Sequence, residues 1–229
     1  MTFTPNAAAI ARKAMKAIDP ALVTPYSKLI VFLSEFPGAA AAMRGTSAPA
    51  IGSELYIQQQ ATAFASARKP RAPQPPMTVP DEMVSVVLHA FFDTPAADLA
   101  RIQREHLLSM GAENLIGDLL ERYLASVMEP RGWIWCSGSM VRAVDFVRPP
   151  EAAGQGWRLL QVKNRDNSEN SSSSAIRSGT AIEKWFRTFS KKAGANWAAF
   201  PDTTLRPHLS EEGFESYVRQ YLARLRQQG

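Results

Sequence analysis

The first part of the chain carries apolar residues at helical spacing. Three such segments, residues 6–18, 22–36 and 53–67, are separated by breaks rich in proline and glycine. Apolar residues that recur every three to four positions form one face of a helix, and proline or glycine ends it. We therefore predict a helical region here, which serves either as a clamp or as packing support.

A segment rich in proline follows, and two further helices come after it. Residues 68–76 hold four prolines and three basic residues, so they cannot continue a helix and are predicted to run extended as a connector rather than to contact DNA. The next helices are predicted over residues 81–92 and 96–108. His89 and His106 lie on these helices. Neither has an acidic or serine residue at a spacing typical of a catalytic pair, so neither is expected to be catalytic.

The pattern changes from helix to strand after residue 140. Residues 157–163 hold four apolar residues in seven, which we interpret as a strand buried on both faces, and residues 141–147 form a second apolar run. The connection between them is rich in Pro and Gly, which predicts a wide hairpin. Alternation along the later strand places Gln161 and Lys163 on one face, and Asp145 lies in the strand that we expect to pair with it.

A helix carrying a glutamate is predicted just before these strands. Residues 113–128 show a broad apolar stripe at helical spacing. Glu121 has Gly117 and Ala125 one turn before and one turn after it, so the helix is thin there and could approach a sheet closely. A carboxylate on that edge can reach a metal ion.

The rest of the chain completes an α/β pattern. We predict a helix over residues 176–192, a short strand over 196–201 and a closing helix over 211–226. This order of elements describes an α/β fold with a mixed sheet flanked by helices. We divide the chain into a helical N-terminal region, residues 1–108, which could act as a DNA clamp or in dimerisation, and a catalytic core, residues 109–229.

The polar residues of the paired strands suit a metal ion and a phosphate. Mg²⁺ prefers oxygen ligands and needs few protein groups, because it keeps several waters. We expect Asp145 as the charged ligand, Gln161 as a neutral ligand and the backbone carbonyl of Val162 as a third. Lys163 would orient or deprotonate the attacking water and steady the charge on the phosphate. Phosphodiester hydrolysis is the reaction that this arrangement suits.

The order of these groups resembles the core of the PD-(D/E)xK nucleases: a helix glutamate, a Gly-Trp pair, a strand aspartate and a strand ending in Gln161-Val162-Lys163. The resemblance implies that Asp145 and Gln161 bind Mg²⁺, that Lys163 serves the attacking water and that Glu121 supports the site. That family usually has Asp or Glu where this chain has Gln161. The expected metal site therefore carries one negative charge fewer.

A second resemblance is closer. Residues 160–180, with their long run of Asn and Ser, and the following residues 182–187 are similar to the SinI-type type II restriction endonucleases, with a weaker likeness over residues 50–57. This resemblance implies a Mg²⁺-dependent enzyme that cuts double-stranded DNA at a GGWCC-like palindrome. A palindromic target in turn implies an isologous homodimer with one active site for each strand.

The positive charge of the chain lies in its last third. Residues 1–156 carry fourteen Lys and Arg against fourteen Asp and Glu, whereas residues 157–229 carry twelve against seven, so the net charge of +5 arises after the hairpin. A basic surface beside the predicted chemistry suits a phosphate backbone. Side chains that can bind phosphates or base edges there are Asn164, Arg165, Asn167, Arg177, Lys184 and Arg187.

Several function classes are disfavoured by composition. No apolar run approaches the ~18 residues that a membrane span needs, and the N-terminus lacks the pattern of a secretion signal. The single cysteine, Cys136, cannot form an internal disulfide, which agrees with a cytoplasmic protein and argues against a zinc site.

Three alternatives to a restriction endonuclease stay open. The fold could belong to a DNA-binding module without cleavage activity, with Gln161 as the mark of a lost acid. It could also be a repair or structure-specific nuclease. A helical interaction protein is the third, and it would neither cut DNA nor bind it in a salt-dependent way.

Overall fold

A computed structural model of the chain describes residues 2–166 and 181–228. Within these residues the α-helices are α1 (Ala7–Ile18), α2 (Val23–Glu35), α3 (Glu54–Ala67), α4 (Glu82–Phe92), α5 (Leu99–Met128) and α6 (Glu211–Gln228). The strands are β1 (Ile134–Trp135), β2 (Phe146–Arg148), β3 (Arg158–Arg165) and β4 (Ile182–Thr188). The prediction of an α/β protein with a mixed sheet is confirmed.

The four strands form one sheet in the order β1-β2-β3-β4. The pairs β1–β2 and β2–β3 are antiparallel, and β3–β4 is parallel. The predicted hairpin between residues 141–147 and 157–163 is thus present. Its first strand is shorter than predicted, because Ala143 has a left-handed backbone (φ 57°) that turns the chain just before β2. Asp145 therefore precedes β2, although its N–H still donates to the Leu160 carbonyl at 2.9 Å.

The sheet lies between two hydrophobic clusters. On one face, α1, α2 and α3 pack on each other and on the sheet; the sheet contributes Ile134, Val147 and, partly buried, Leu159. On the other face α5 and α6 pack against Leu160, Val162 and other sheet residues. Helices α1 to α3 agree with the predicted segments to within one or two residues, since their amphipathic stripes end at proline or glycine.

Two predictions for the C-terminal part are wrong. Residues 182–188 of the predicted helix 176–192 form strand β4, and residues 176–180 lie outside the described residues. Ile182, Trp185 and Phe186 recur at helical spacing, but parallel pairing with β3 makes this segment a strand in which only Trp185 is buried. The predicted strand 196–201 is instead a short 3-10 turn, Trp197–Ala199. The chain bends there, and the Asn196 carbonyl accepts a hydrogen bond from the Trp185 indole N–H.

Helix α5 is a single helix of 30 residues, where two were predicted. It runs without a break across the predicted division at residue 108. Gly111 does not end it: a Cβ there would lie 2.8 Å from the Gln74 carbonyl oxygen, so this glycine lets the connector cross the helix closely. None of the helices in the described ranges is both long and apolar enough to cross a membrane.

The connector is extended as predicted, and two arginines, the buried Arg122 and the partly buried Arg68, fasten its start. The Arg122 guanidinium donates to the carbonyls of Ala67, Arg68 and Lys69 at 2.7, 2.9 and 2.9 Å and to Asp118 at 2.7 Å. The Arg68 side chain donates to both carboxylate oxygens of Glu129, at 2.7 and 2.9 Å. These bonds join α3 to α5, and thus the two halves of the fold.

Replacing Arg122 by Met tests this fastening. Three carbonyls would lose their donor and Asp118 its partner, so we expect the free energy of unfolding to fall by about 3 kcal/mol in urea denaturation followed by tryptophan fluorescence. Arg101→Ala is the control, since Arg101 pairs with Glu105 on the exposed side of α5 and its loss should cost less than about 1 kcal/mol. Equal losses in the two variants would contradict this role of Arg122.

Candidate active site

The Asp145 carboxylate accepts a hydrogen bond that a backbone carbonyl would accept if the pairing of β2 with β3 continued. Its Oδ2 accepts a hydrogen bond of 2.6 Å from the Val162 N–H, while its backbone carbonyl accepts from the Cys136 N–H at 2.8 Å. The carboxylate lies deep in the protein and keeps part of its surface open to a cleft. Burial raises the pKa of Asp145 to about 6, against the lowering effects of the Val162 amide and Lys163.

Glu121 reaches the same place from α5. Its Oε2 accepts a hydrogen bond of 2.9 Å from the indole N–H of Trp135 in β1. Burial and, to a lesser extent, the nearby Asp145 carboxylate raise the pKa of Glu121 to about 8, although the Trp135 hydrogen bond acts to lower it. The two carboxylates therefore repel one another in a space with little water, and that repulsion favours either a proton or a cation between them.

Gln161 and Lys163 lie on one face of β3, as alternation predicts. Gln161 is only 3% exposed, and among the described residues its Oε1 has no hydrogen-bond partner. Buried carbonyl oxygens are nearly always bonded, so a polar atom of this kind calls for an explanation, such as an ion that the site binds.

These four side chains line one cleft of about 760 Å³. The sequence-predicted set of Asp145, Gln161, Lys163 and Glu121 is thus brought together. Further lining groups that carry charge or hydrogen-bonding atoms are Arg71, Asp118, Trp135, Ser139 and Arg142.

The donors in this cleft suit a hard cation. In the described ranges no group of three or more His, Cys, Asp and Glu side chains is arranged to hold a metal ion. Asp118 also lines the cleft but is paired with Arg122. The donors that remain are two carboxylates and one amide, all of them oxygen donors, and this set fits Mg²⁺ better than a softer metal. The Val162 carbonyl also points toward Asp145, because the N–H and C=O of one strand residue face the same edge.

The six predicted DNA-contacting residues separate into groups. Lys184 is the register partner of Gln161 and shares its face, and burial together with Lys163 lowers its pKa. Arg165 lies at the end of β3. Asn164 and Arg187 lie on the opposite face, where the Arg187 Nε donates to Asn164 Oδ1 at 3.0 Å and Arg187 also pairs with Glu211. The other two, Asn167 and Arg177, lie outside the described residues.

Two residues that contribute to the cleft, Trp135 and Arg71, were not predicted from the sequence. Trp135 binds Glu121, but an indole in a short apolar strand gives no sign of its partner. Arg71, in the connector, reaches the cleft only because the connector crosses α5. A crossing of that kind joins residues far apart in the chain and leaves no local pattern.

Comparison with known proteins agrees with this geometry. The model of the SinI restriction endonuclease family matches residues 7–224. The chain is 50% identical to the type II restriction enzyme Eco47I of Escherichia coli over 225 residues, which cover 98% of this chain and 97% of that enzyme. The chain is also 48% identical to the type II restriction enzyme SinI of Salmonella infantis, over 98% of this chain and 97% of that enzyme. The prediction of a type II site-specific deoxyribonuclease is confirmed, and the chain belongs to the SinI restriction endonuclease family.

Proposed function

We propose that this restriction endonuclease hydrolyses phosphodiester bonds of double-stranded DNA with Mg²⁺ bound in the Asp145 cleft, on a PD-(D/E)xK-type core. The observation that carries the proposal is the buried Gln161 Oε1 without a partner, in the same cleft as two carboxylates and a lysine. A site built only for stability would pair that oxygen. If Gln161 Oε1 is a ligand for a cation, it has no protein partner and stays available for the ion.

The residues that would hold Mg²⁺ are Asp145, Gln161 and the Val162 carbonyl. The Val162 amide donates to Oδ2 of Asp145, so the other oxygen of that carboxylate is left for the ion. Bound there, Mg²⁺ would supply Lewis-acid activation of the scissile phosphate and of the attacking water. The small number of charged ligands suits Mg²⁺, which keeps several waters that a phosphate oxygen can displace.

Lys163 and Glu121 have separate tasks in this proposal. Lys163 shares the face of Gln161, so its ammonium group would orient the attacking water and stabilise the negative charge that develops on the phosphate. Glu121 supports the site from the opposite wall, with its orientation fixed by the Trp135 indole. Its raised pKa allows it to hold a proton at neutral pH or to release that proton when a cation enters.

The proposed target is a short GGWCC-like palindrome, by family resemblance. A palindromic duplex presents the same site on both strands, so two copies of the chain related by a two-fold axis would each cut one strand. The proposed enzyme is therefore a homodimer. Lys184, on the face of Gln161, and Arg165 would contact the phosphate backbone, and the excess of basic residues after residue 156 would strengthen that contact at low salt.

Incubation with plasmid and Mg²⁺ tests the proposal directly. We expect discrete fragments from the wild type and a loss of rate of at least about 100-fold in Lys163→Ala, because the charge on the phosphate loses its stabilisation. The control is Lys16→Ala, which removes an exposed lysine from α1 and should cut normally. A smear would indicate a nonspecific nuclease, and intact plasmid with a retained gel shift would indicate a DNA-binding module.

Gln161→Glu tests the metal site without relying on cleavage. An added carboxylate would bind the cation more strongly, so the thermal midpoint should rise with Mg²⁺ at a lower concentration than in the wild type. Gln161→Leu, of similar size, should abolish the Mg²⁺-dependent rise. If all three proteins respond alike to Mg²⁺, the ion binds elsewhere.

Asp145→Asn should make the protein more stable while it removes cleavage. The folded-state pKa of Asp145 lies above its unfolded value, so the ionised side chain costs stability as pH rises through about 6. In the presence of a chelator we expect the variant to gain about 2–3 kcal/mol near pH 8, and about 1 kcal/mol less than that near pH 5. Urea unfolding at both pH values measures this. A pH-independent difference would mean that burial of the charge is not its cause.

A further inference from the structure

Helix α4 is apolar around most of its circumference, yet within the described residues none of its side chains is buried. Helices that are apolar on all sides normally lie in a protein core. Here α4 touches α5 through a hydrogen bond from Gln103 Nε2 to the Ser85 hydroxyl at 2.7 Å and through the partly buried Leu88. The remaining apolar surface of α4 faces outward.

The outward surface is large. We call it the α4 face, and we include in it six residues of α4 together with two from the segment before α4 and one from α5. All are more than half exposed: Met83, Val84, Val86, Val87, Phe91, Phe92, Met77, Val79 and Leu108. Together they expose roughly 1,000 Å² of apolar residue surface, by the usual areas of such side chains. The largest apolar patch of a monomer is typically about 300–600 Å², and a stable interface buries about 800 Å² on each partner.

The charges of α4 and its flanking segments disfavour DNA as the occupant of the α4 face. Residues 72–100 contain no Lys or Arg, while Asp81, Glu82, Asp93 and Asp98 all lie there. A duplex would meet only negative charge along this segment, and Arg101, the next basic residue, is already paired with Asp98 and Glu105. The partner must therefore be a protein surface that is largely apolar.

We propose that the α4 face is the surface through which two copies of this chain form the homodimer. The choice of a second copy as the occupant rests on the proposed function, which needs two clefts for two strands. A two-fold axis sets the same patch of each copy against the other, so one self-complementary apolar surface is sufficient. The apolar groove between α4 and α5, lined by Val84, Leu88, Ile102 and Leu107 among others, offers space of about 370 Å³ for side chains of the partner.

Sedimentation equilibrium of the whole chain, without DNA or Mg²⁺, tests the interface. The wild type should have about twice the chain mass of 25.2 kDa. Val87→Asp places a charge in the α4 face and should weaken dimerisation at least about 100-fold, because each copy would bury an unpaired carboxylate. Leu55→Asp is the matched control: Leu55 in α3 is 51% exposed and Val87 is 53% exposed, so the control should remain dimeric.

Each outcome decides the matter. A monomeric wild type, a dimeric Val87→Asp variant, or equal dissociation of the Leu55→Asp control would overturn the assignment. Circular dichroism and thermal unfolding test whether Val87→Asp is folded. If it is not, Phe91→Ser, at a position that is 77% exposed, replaces it in the experiment. Raised salt should preserve the dimer, since the contact is apolar.

The same variants keep this proposal separate from the proposed function. A monomeric Val87→Asp protein retains its catalytic cluster, so on supercoiled plasmid it should yield nicked circles in place of linear DNA. If the wild type is dimeric and Val87→Asp is monomeric but neither protein cuts DNA, the interface stands and the catalytic proposal fails. If the wild type cuts DNA and Val87→Asp is still dimeric, the catalytic proposal stands and this interface fails.

Discussion

The hydrogen bond from the Val162 amide to the Asp145 carboxylate sets the arrangement of the whole site. It lets a side chain replace a backbone partner at the point where β2 begins, so the edge of β3 beyond Leu160 is left uncovered by a strand. That uncovered edge opens the cleft to Gln161 and Lys163. The arrangement costs stability, because it keeps a carboxylate where water is scarce and raises its pKa. Such a cost is typical of a functional site.

The rest of the fold holds a second carboxylate opposite the first. Helix α5 is long and continuous, and Gly117 keeps it narrow one turn before Glu121. The arginines that fasten the connector, Arg68 and Arg122, also lie over the Trp135 ring, and the Trp135 indole in turn binds Glu121. Packing between the two halves of the protein is thereby linked to the position of a group in the cleft. A loosened connector should disturb the site as well as the stability.

The sequence allowed much of this to be predicted, wherever the deciding signal was local. Helices α1 to α3 end at proline or glycine, and strict alternation placed Gln161 and Lys163 together. The same alternation puts Asn164 on the opposite face, beside Arg187. Strand β4 could not be identified, because parallel pairing with β3 makes it a strand and that pairing leaves no local pattern in the sequence. The crossing of the connector over α5 likewise depends on tertiary packing.

The central claim is that Asp145 and Gln161 share one divalent cation in the cleft. A crystal structure of the Lys163→Ala variant with a DNA duplex and Mn²⁺ tests it most directly, since Mn²⁺ replaces Mg²⁺ at oxygen sites and is located by its anomalous scattering. We expect one anomalous peak within about 2.0–2.4 Å of an Asp145 carboxylate oxygen and of Gln161 Oε1, beside a DNA phosphate. A peak elsewhere, or Gln161 turned away from the ion, would contradict it.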